Sequence, residues 1–183
     1  LGDVYKRQGK DGVEELLQQS SAYIDQRSID KKVYPKQIAF NSIPFVDCFL
    51  ENNYTREEMK MVWETHKILD ENISVNPTAV RVPVLVGHAE SIYIETEKEI
   101  DIELAKNCLN EFAGISVIDD VQEVDFPTSF EHGHGTDDVY VGRIRKGLSK
   151  NNSLNLWVVA DNVRKGAALN SIQIAENLVG SEM

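Results

Sequence analysis

Cysteine is nearly missing. The two thiols, Cys48 and Cys108, stand far apart with no Cys-x-x-Cys spacing, which excludes a disulfide framework and a thiolate zinc site. Both fall in apolar patterns, so packing rather than nucleophilic chemistry is expected of them. No apolar run approaches the roughly 18 residues of a membrane span, and nothing resembles a signal peptide. A reduced, cytoplasmic protein without a membrane partner is expected. Positive charge is scarce as well. With 19 Lys and Arg against 30 Asp and Glu the net charge is −11, which argues against a nucleic-acid partner. No Gly-x-Gly-x-x-Gly follows a strand pattern and there is no P-loop, so the chain has no recognisable grip on a nucleotide. Residues 131–138 hold two His and several carboxylates, but their spacing fits no tetrahedral pattern and no metal is assigned.

What remains is an ordinary globular composition, 42% hydrophobic and 27% charged, over 183 residues, enough for one sizeable core. A helix is expected from Asp11, with Val13, Leu16 and Leu17 on one face, continued by Ala22 and Tyr23. Residues 37–41 read as a short strand. Thr55 and Glu58 form a capping box for a helix running to about Asp70, on which Glu57, Lys60 and Glu64 share a face. Asp101 caps a second such helix, ending at Gly114. Strands are expected at 115–118, 139–144 and 154–160, the last running into a helix over 162–178. Small residues at 166–168 fit either close approach by a ligand or tight packing on the sheet. The order of elements predicts an α+β fold, a mixed and largely antiparallel sheet with helices packed on one face.

The most informative stretch is residues 79–95. Its density of Val and Ile predicts buried strand, yet it carries Arg81 and His88 beside Pro83 and Gly87. Seven residues apart, the two would point to opposite faces of one flat strand. Pro83 and Gly87 are suited to break it, so two strands are expected with a bend between them and both side chains facing a common space.

Several stretches in order resemble the carboxyl-terminal, catalytic and dimerisation portion of bacterial aspartate-semialdehyde dehydrogenase. They are residues 9–16 (Gly-Lys-Asp-Gly-Val-Glu-Glu-Leu), 40–47, 57–68, 81–84 with Gly87-His88, 139–145, and 157–170 with its Ala-Asp-Asn-Val-Arg-Lys-Gly-Ala-Ala core. The resemblance implies the glyceraldehyde-3-phosphate-dehydrogenase-like C-terminal fold, a homodimer, NADP as cofactor, and the phosphorylating oxidation of aspartate semialdehyde. It implies that Arg81 holds the substrate carboxylate, Glu57 the amino group and Lys60 the phosphate. His88 would be the acid/base partner of a cysteine nucleophile, and Asn162 would approach the nicotinamide.

The family's Asn-Cys nucleophile motif and its nucleotide-binding domain lie ahead of the matching region, so the 183 residues alone are expected to be inactive. Residues 1–8 depart from the family pattern and are expected to be a foreign leader, so Gln8 inherits no role; residues 9–183 form the substrate-binding and dimerisation domain. Two alternatives stay open: a non-catalytic dimerisation or regulatory homologue, and a related reductase acting on N-acetylglutamyl phosphate or malonyl-CoA.

Overall fold

The computed structural model describes residues 9–180, so the expected leader at 1–8 lies outside the described residues. The chain divides into two compact units, Leu1–Pro83 and Val84–Met183. In the first, helix α1 (Lys10–Ile24) buries Glu15, Leu16, Gln19 and Ala22. Leu16 packs with Ile38, Ala39 and Ile43, against Tyr34 and Phe45. Leu17 and Tyr23, expected on the buried face, are exposed. The buried stripe is mixed because two polar side chains supply what irregular backbone beside the helix needs. The Glu15 carboxylate accepts from Lys32 N (2.9 Å), Val33 N (2.5 Å) and Tyr34 N (3.3 Å). Gln19 Oε1 accepts from Ile38 N (2.9 Å) and Ala39 N (3.2 Å).

Those bonds replace a ladder, and the strand expected at 37–41 does not form. Phe40 sits at φ +59, a conformation that no strand tolerates. Helix α2 (Arg56–Ile68) starts as the capping box requires: Thr55 Oγ1 accepts from Glu58 N at 3.3 Å, and Glu58 Oε2 from Thr55 N at 2.7 Å. The other Glu58 oxygen accepts from Ala79 N at 2.9 Å. Two residues later Arg81 makes an antiparallel bridge with Ile43, 2.9 Å in each direction. The buried strand expected at 79–82 is reduced to that one bridge. Ala79 and Arg81 face inward by the period of two, which turns Val80 and Val82 outward, and Val84 and Leu85 are exposed too.

The second unit is a four-stranded sheet in the order β1-β4-β3-β2, formed by β1 (His88–Glu95), β2 (Ile115–Val117), β3 (Val139–Lys146) and β4 (Ser153–Ala160). β1 and β3 run antiparallel to β4, and β2 runs parallel to β3, so the α+β, mostly antiparallel expectation holds. Helix α3 (Ile102–Glu111) begins at Asp101, whose Oδ1 accepts from Glu103 N and Leu104 N at 2.9 and 3.1 Å. Its Ile102, Ala105 and Leu109 pack on the core of Val141, Ile144, Leu154 and Leu156. After β4 the expected helix starts with a π-helical turn (Arg164–Ala168), and α4 (Leu169–Gly180) follows. Both cysteines, expected to pack, are exposed: Cys108 lies on the solvent side of α3, and Cys48 in a loop that gives its carbonyl to Arg56 N.

The bend at the entry to β1 centres on Gly87, at φ +79. A Cβ there would stand 2.5 Å from Ser129 O and 2.9 Å from Gly133 O. The 128–133 loop therefore closes over the backbone immediately before His88, and only glycine fits.

Three substitutions test this packing. Thr55→Ala is expected to cost about 1 kcal/mol and Glu58→Gln roughly 1–3 kcal/mol in urea denaturation. The bonds from Thr55 N and Ala79 N hold the Glu58 carboxyl below the ordinary glutamate value. Its contribution is thus full above about pH 4.3 and is lost as pH falls through the lowered value; Glu58→Gln removes that acid-dependent part of the unfolding curve. Gly87→Ala is expected to destabilise by at least about 2 kcal/mol, since the left-handed conformation alone costs 1–2 before the clash with Ser129 O. A melting temperature unchanged in Gly87→Ala would contradict the fit of the loop over the bend.

Candidate active site

Arg81 is the centre of the first unit's polar group. Its guanidinium carbon lies 5.7 Å from the centroid of the Tyr34 ring, and its Nη2 is buried with no hydrogen-bond partner among the described residues. Burial pulls Arg81 below the usual guanidinium range, while Tyr34, Glu57 and Asp47 act in the opposite direction. It remains a cation at neutral pH, because arginine does not deprotonate in proteins. A buried guanidinium N–H without an acceptor is costly. The group best suited to relieve it is a small carboxylate, which a planar guanidinium meets with two parallel bonds.

On α2, Lys60 Nζ stands 3.3 Å from Glu57 Oε2, and both side chains are largely covered. Glu64, on the same nominal face, is exposed. The three were one stripe by spacing; the fold singles out the first two. Glu58 is what ties this helix to the segment carrying Arg81, since its two oxygens hold Thr55 N and Ala79 N. The first unit thus brings together an anion-seeking arginine, a carboxylate and an ammonium.

The second unit positions His88 and Asn162. His88 opens β1 and pairs in register with Ala160 of β4, so it lies at the strand end from which the Asp161-Asn162 turn leaves the sheet. Its Nε2 is 2.9 Å from Glu90 Oε1. This contact from His88 holds the Glu90 carboxyl below its ordinary value. Asn162 Oδ1 is buried without a hydrogen-bond partner among the described residues, an acceptor open to an N–H donor such as a carboxamide.

Asp161 builds that turn. Burial by itself would raise its carboxyl, but bonds from Arg164 N, Gly135 N and Val163 N outweigh it and hold the group low. Oδ1 accepts from Val163 N and Arg164 N at 2.7 and 2.8 Å, and Oδ2 from Gly135 N at 2.7 Å. One carboxylate therefore fixes both the start of the π-helical turn and the end of the 128–135 loop. The small residues 166–168 are exposed, so packing on the sheet does not account for them.

Sequence reasoning named Arg81, Glu57, Lys60, His88 and Asn162. It missed three residues that shape their surroundings. Asp161 was detectable as an Asp ahead of a helical pattern. Glu90 was detectable as the i+2 neighbour of a strand histidine, on the same face. Tyr34 left no signal, because it sits in a polar connector without periodicity.

Residues 8–165 match the family model described as the semialdehyde dehydrogenase dimerisation domain. The aspartate-semialdehyde dehydrogenase of Shewanella violacea is 54% identical over 172 residues, which cover 93% of this chain and 50% of that protein. Among solved structures, aspartate semialdehyde dehydrogenase II of Vibrio cholerae, complexed with ASA, superposes with a TM-score of 0.89 at 48% identity, covering 95% of this chain and 51% of that one. The aspartate semialdehyde dehydrogenase of Candida albicans with NADP gives 0.62 at 27% identity, covering 78% and 45%. This chain spans about half the length of the curated relatives it matches. With the dimerisation-domain match running through most of its residues, the chain belongs to the semialdehyde dehydrogenase family.

Proposed function

We propose that these residues are the carboxyl-terminal, substrate-binding and dimerisation part of a cytoplasmic NADP-dependent aspartate-semialdehyde dehydrogenase. The whole enzyme would convert aspartate semialdehyde, phosphate and NADP into aspartyl phosphate and NADPH, in the biosynthesis of lysine, threonine and methionine. The observation that carries this reading is the buried, unpartnered Nη2 of Arg81 in the unit that also holds Glu57 and Lys60. A purely structural module has no use for that set. The Vibrio cholerae relative, complexed with ASA, adds support, and the domain description favours a homodimer.

In this reading Arg81 takes the substrate carboxylate, Glu57 its ammonium group and Lys60 the incoming phosphate. His88 accepts the proton of a cysteine thiol as that thiol attacks the aldehyde, and the Glu90 carboxylate stabilises the resulting imidazolium. The thiol would come from a segment outside these 183 residues. Asn107-Cys108 spells the family's dipeptide, but it follows Arg81 instead of preceding it and sits on α3. The pyridine nucleotide, when bound, accepts the hydride, and the open acceptor of Asn162 suits its carboxamide; NADP is present in the Candida albicans relative.

The 183-residue chain is expected not to reduce NADP when given aspartate semialdehyde and phosphate, whereas residues 9–183 extended by the amino-terminal half of a relative such as the Shewanella violacea enzyme are expected to do so. Robust turnover by the 183 residues alone contradicts the assignment. In the extended enzyme, His88→Asn is expected to lower kcat by about 10²–10⁴-fold with little change in KM. Arg81→Lys should raise KM for the semialdehyde and leave that for phosphate, and Lys60→Ala should do the reverse. Steady-state kinetics with each substrate varied in turn checks the pattern. Preference for N-acetylglutamyl phosphate or malonyl-CoA in the same assay would favour the related reductases.

A further inference from the structure

A guanidinium that is to meet a carboxylate must be held in one orientation before the ligand arrives, and Arg81 makes few bonds that would do so. Its backbone is fixed by the bridge to Ile43, but Nη2 has no hydrogen-bond partner among the described residues. What lies against the head group is the Tyr34 ring, 5.7 Å from centroid to guanidinium carbon, within the range of a cation held over an aromatic face. Tyr34 has no regular element to place it. Its position comes from the Glu15 carboxylate, which accepts from three successive backbone N–H groups, those of Lys32, Val33 and Tyr34. Glu15 is buried on α1 and is also met by Gln19 Nε2 at 2.9 Å, so its own orientation is fixed.

We propose that Tyr34 is the positioning residue for Arg81, its ring orienting the guanidinium toward a ligand carboxylate, and that Glu15 sets the ring by holding the backbone of residues 32–34. This rests on Arg81 being the carboxylate clamp, and it adds how the clamp is kept ready. The hydroxyl of Tyr34 is not required. An aromatic face is.

The test uses the 183-residue chain with ¹⁵N-labelled arginine, read through the Arg81 Nε–Hε signal, and succinate as a probe that carries the carboxylate but neither the amine nor the aldehyde. In the wild type the ring places the Arg81 signal upfield of the other arginines, and succinate moves it. Tyr34→Phe is expected to keep both the shift and the affinity within about twofold, while Tyr34→Leu loses the shift and weakens succinate binding about tenfold, the scale of a partly desolvated cation–π contact. Glu15→Gln is expected to reduce the shift, because a neutral amide holds the three N–H groups less firmly. Tyr34→Trp, which keeps an aromatic face, retains the upfield signal and serves if Tyr34→Leu does not fold. An Arg81 signal that is not displaced in the wild type, or equal succinate affinity in Tyr34→Leu and wild type, overturns the proposal. A displaced signal in a wild-type chain that ignores succinate supports the stacking and removes the carboxylate assignment instead, so the two readings fail separately.

Discussion

One carboxylate organises the first half of this molecule. Glu58 closes the capping box that starts α2 and, with its second oxygen, takes the N–H of Ala79. A helix terminus leaves unpaired N–H groups, and a lone backbone segment such as 79–81 has unpaired groups of its own. A single ionised side chain between them satisfies both. The helix that bears Glu57 and Lys60 is thereby locked to the segment that bears Arg81, at a spacing set by two short charge-assisted bonds. Apolar packing alone would leave that spacing looser, because Val80 and Val82 face away and contribute nothing on the inner side.

The same device recurs at Glu15 and Asp161. Each is a buried carboxylate whose partners are mainly backbone N–H groups of irregular segments, and each stands where the chain must hold a shape that no helix or sheet supplies. Such bonds are stronger than neutral ones and directional. They give loop residues the positional accuracy of a regular element. Among the described residues three buried side-chain polar atoms have no hydrogen bond, Arg81 Nη2, Asn162 Oδ1 and Asp119 Oδ2; Lys106 Nζ lies 2.8 Å from the last, so the first two are the ones the proposed reading gives to ligands.

How far the sequence could be read depended on whether the signal was local. The Thr55–Glu58 box, the Asp101 cap and the apolar runs that became β3 and β4 are written within a few residues, and each formed within two residues of where the sequence placed it. The strand expected at 37–41 failed because its backbone bonds go to Gln19, 19 and 20 positions away, and that exchange leaves no trace in the pattern. The stretch at 79–85 misled for a different reason. Its Val and Leu read as core, yet they lie on the surface of this chain; hydrophobicity reports that a residue shuns water without saying which surface will cover it. Cys48 and Cys108 misled in the same way. Arg81, Glu57, Lys60, His88 and Asn162 were named as candidates through family resemblance alone, whereas Tyr34 and Glu15 became visible only when the loop between α1 and the Ile43 bridge took shape.

The glycine before His88 carries an evolutionary consequence. Because carbonyls of the 128–133 loop sit against the bare α-carbon of Gly87, the loop and the imidazole cannot drift independently. Asp161 pins the loop's far end through Gly135 N. Insertions or deletions among relatives should therefore be excluded from this loop between its two anchors, and variation there confined to outward-pointing side chains such as that of Glu131.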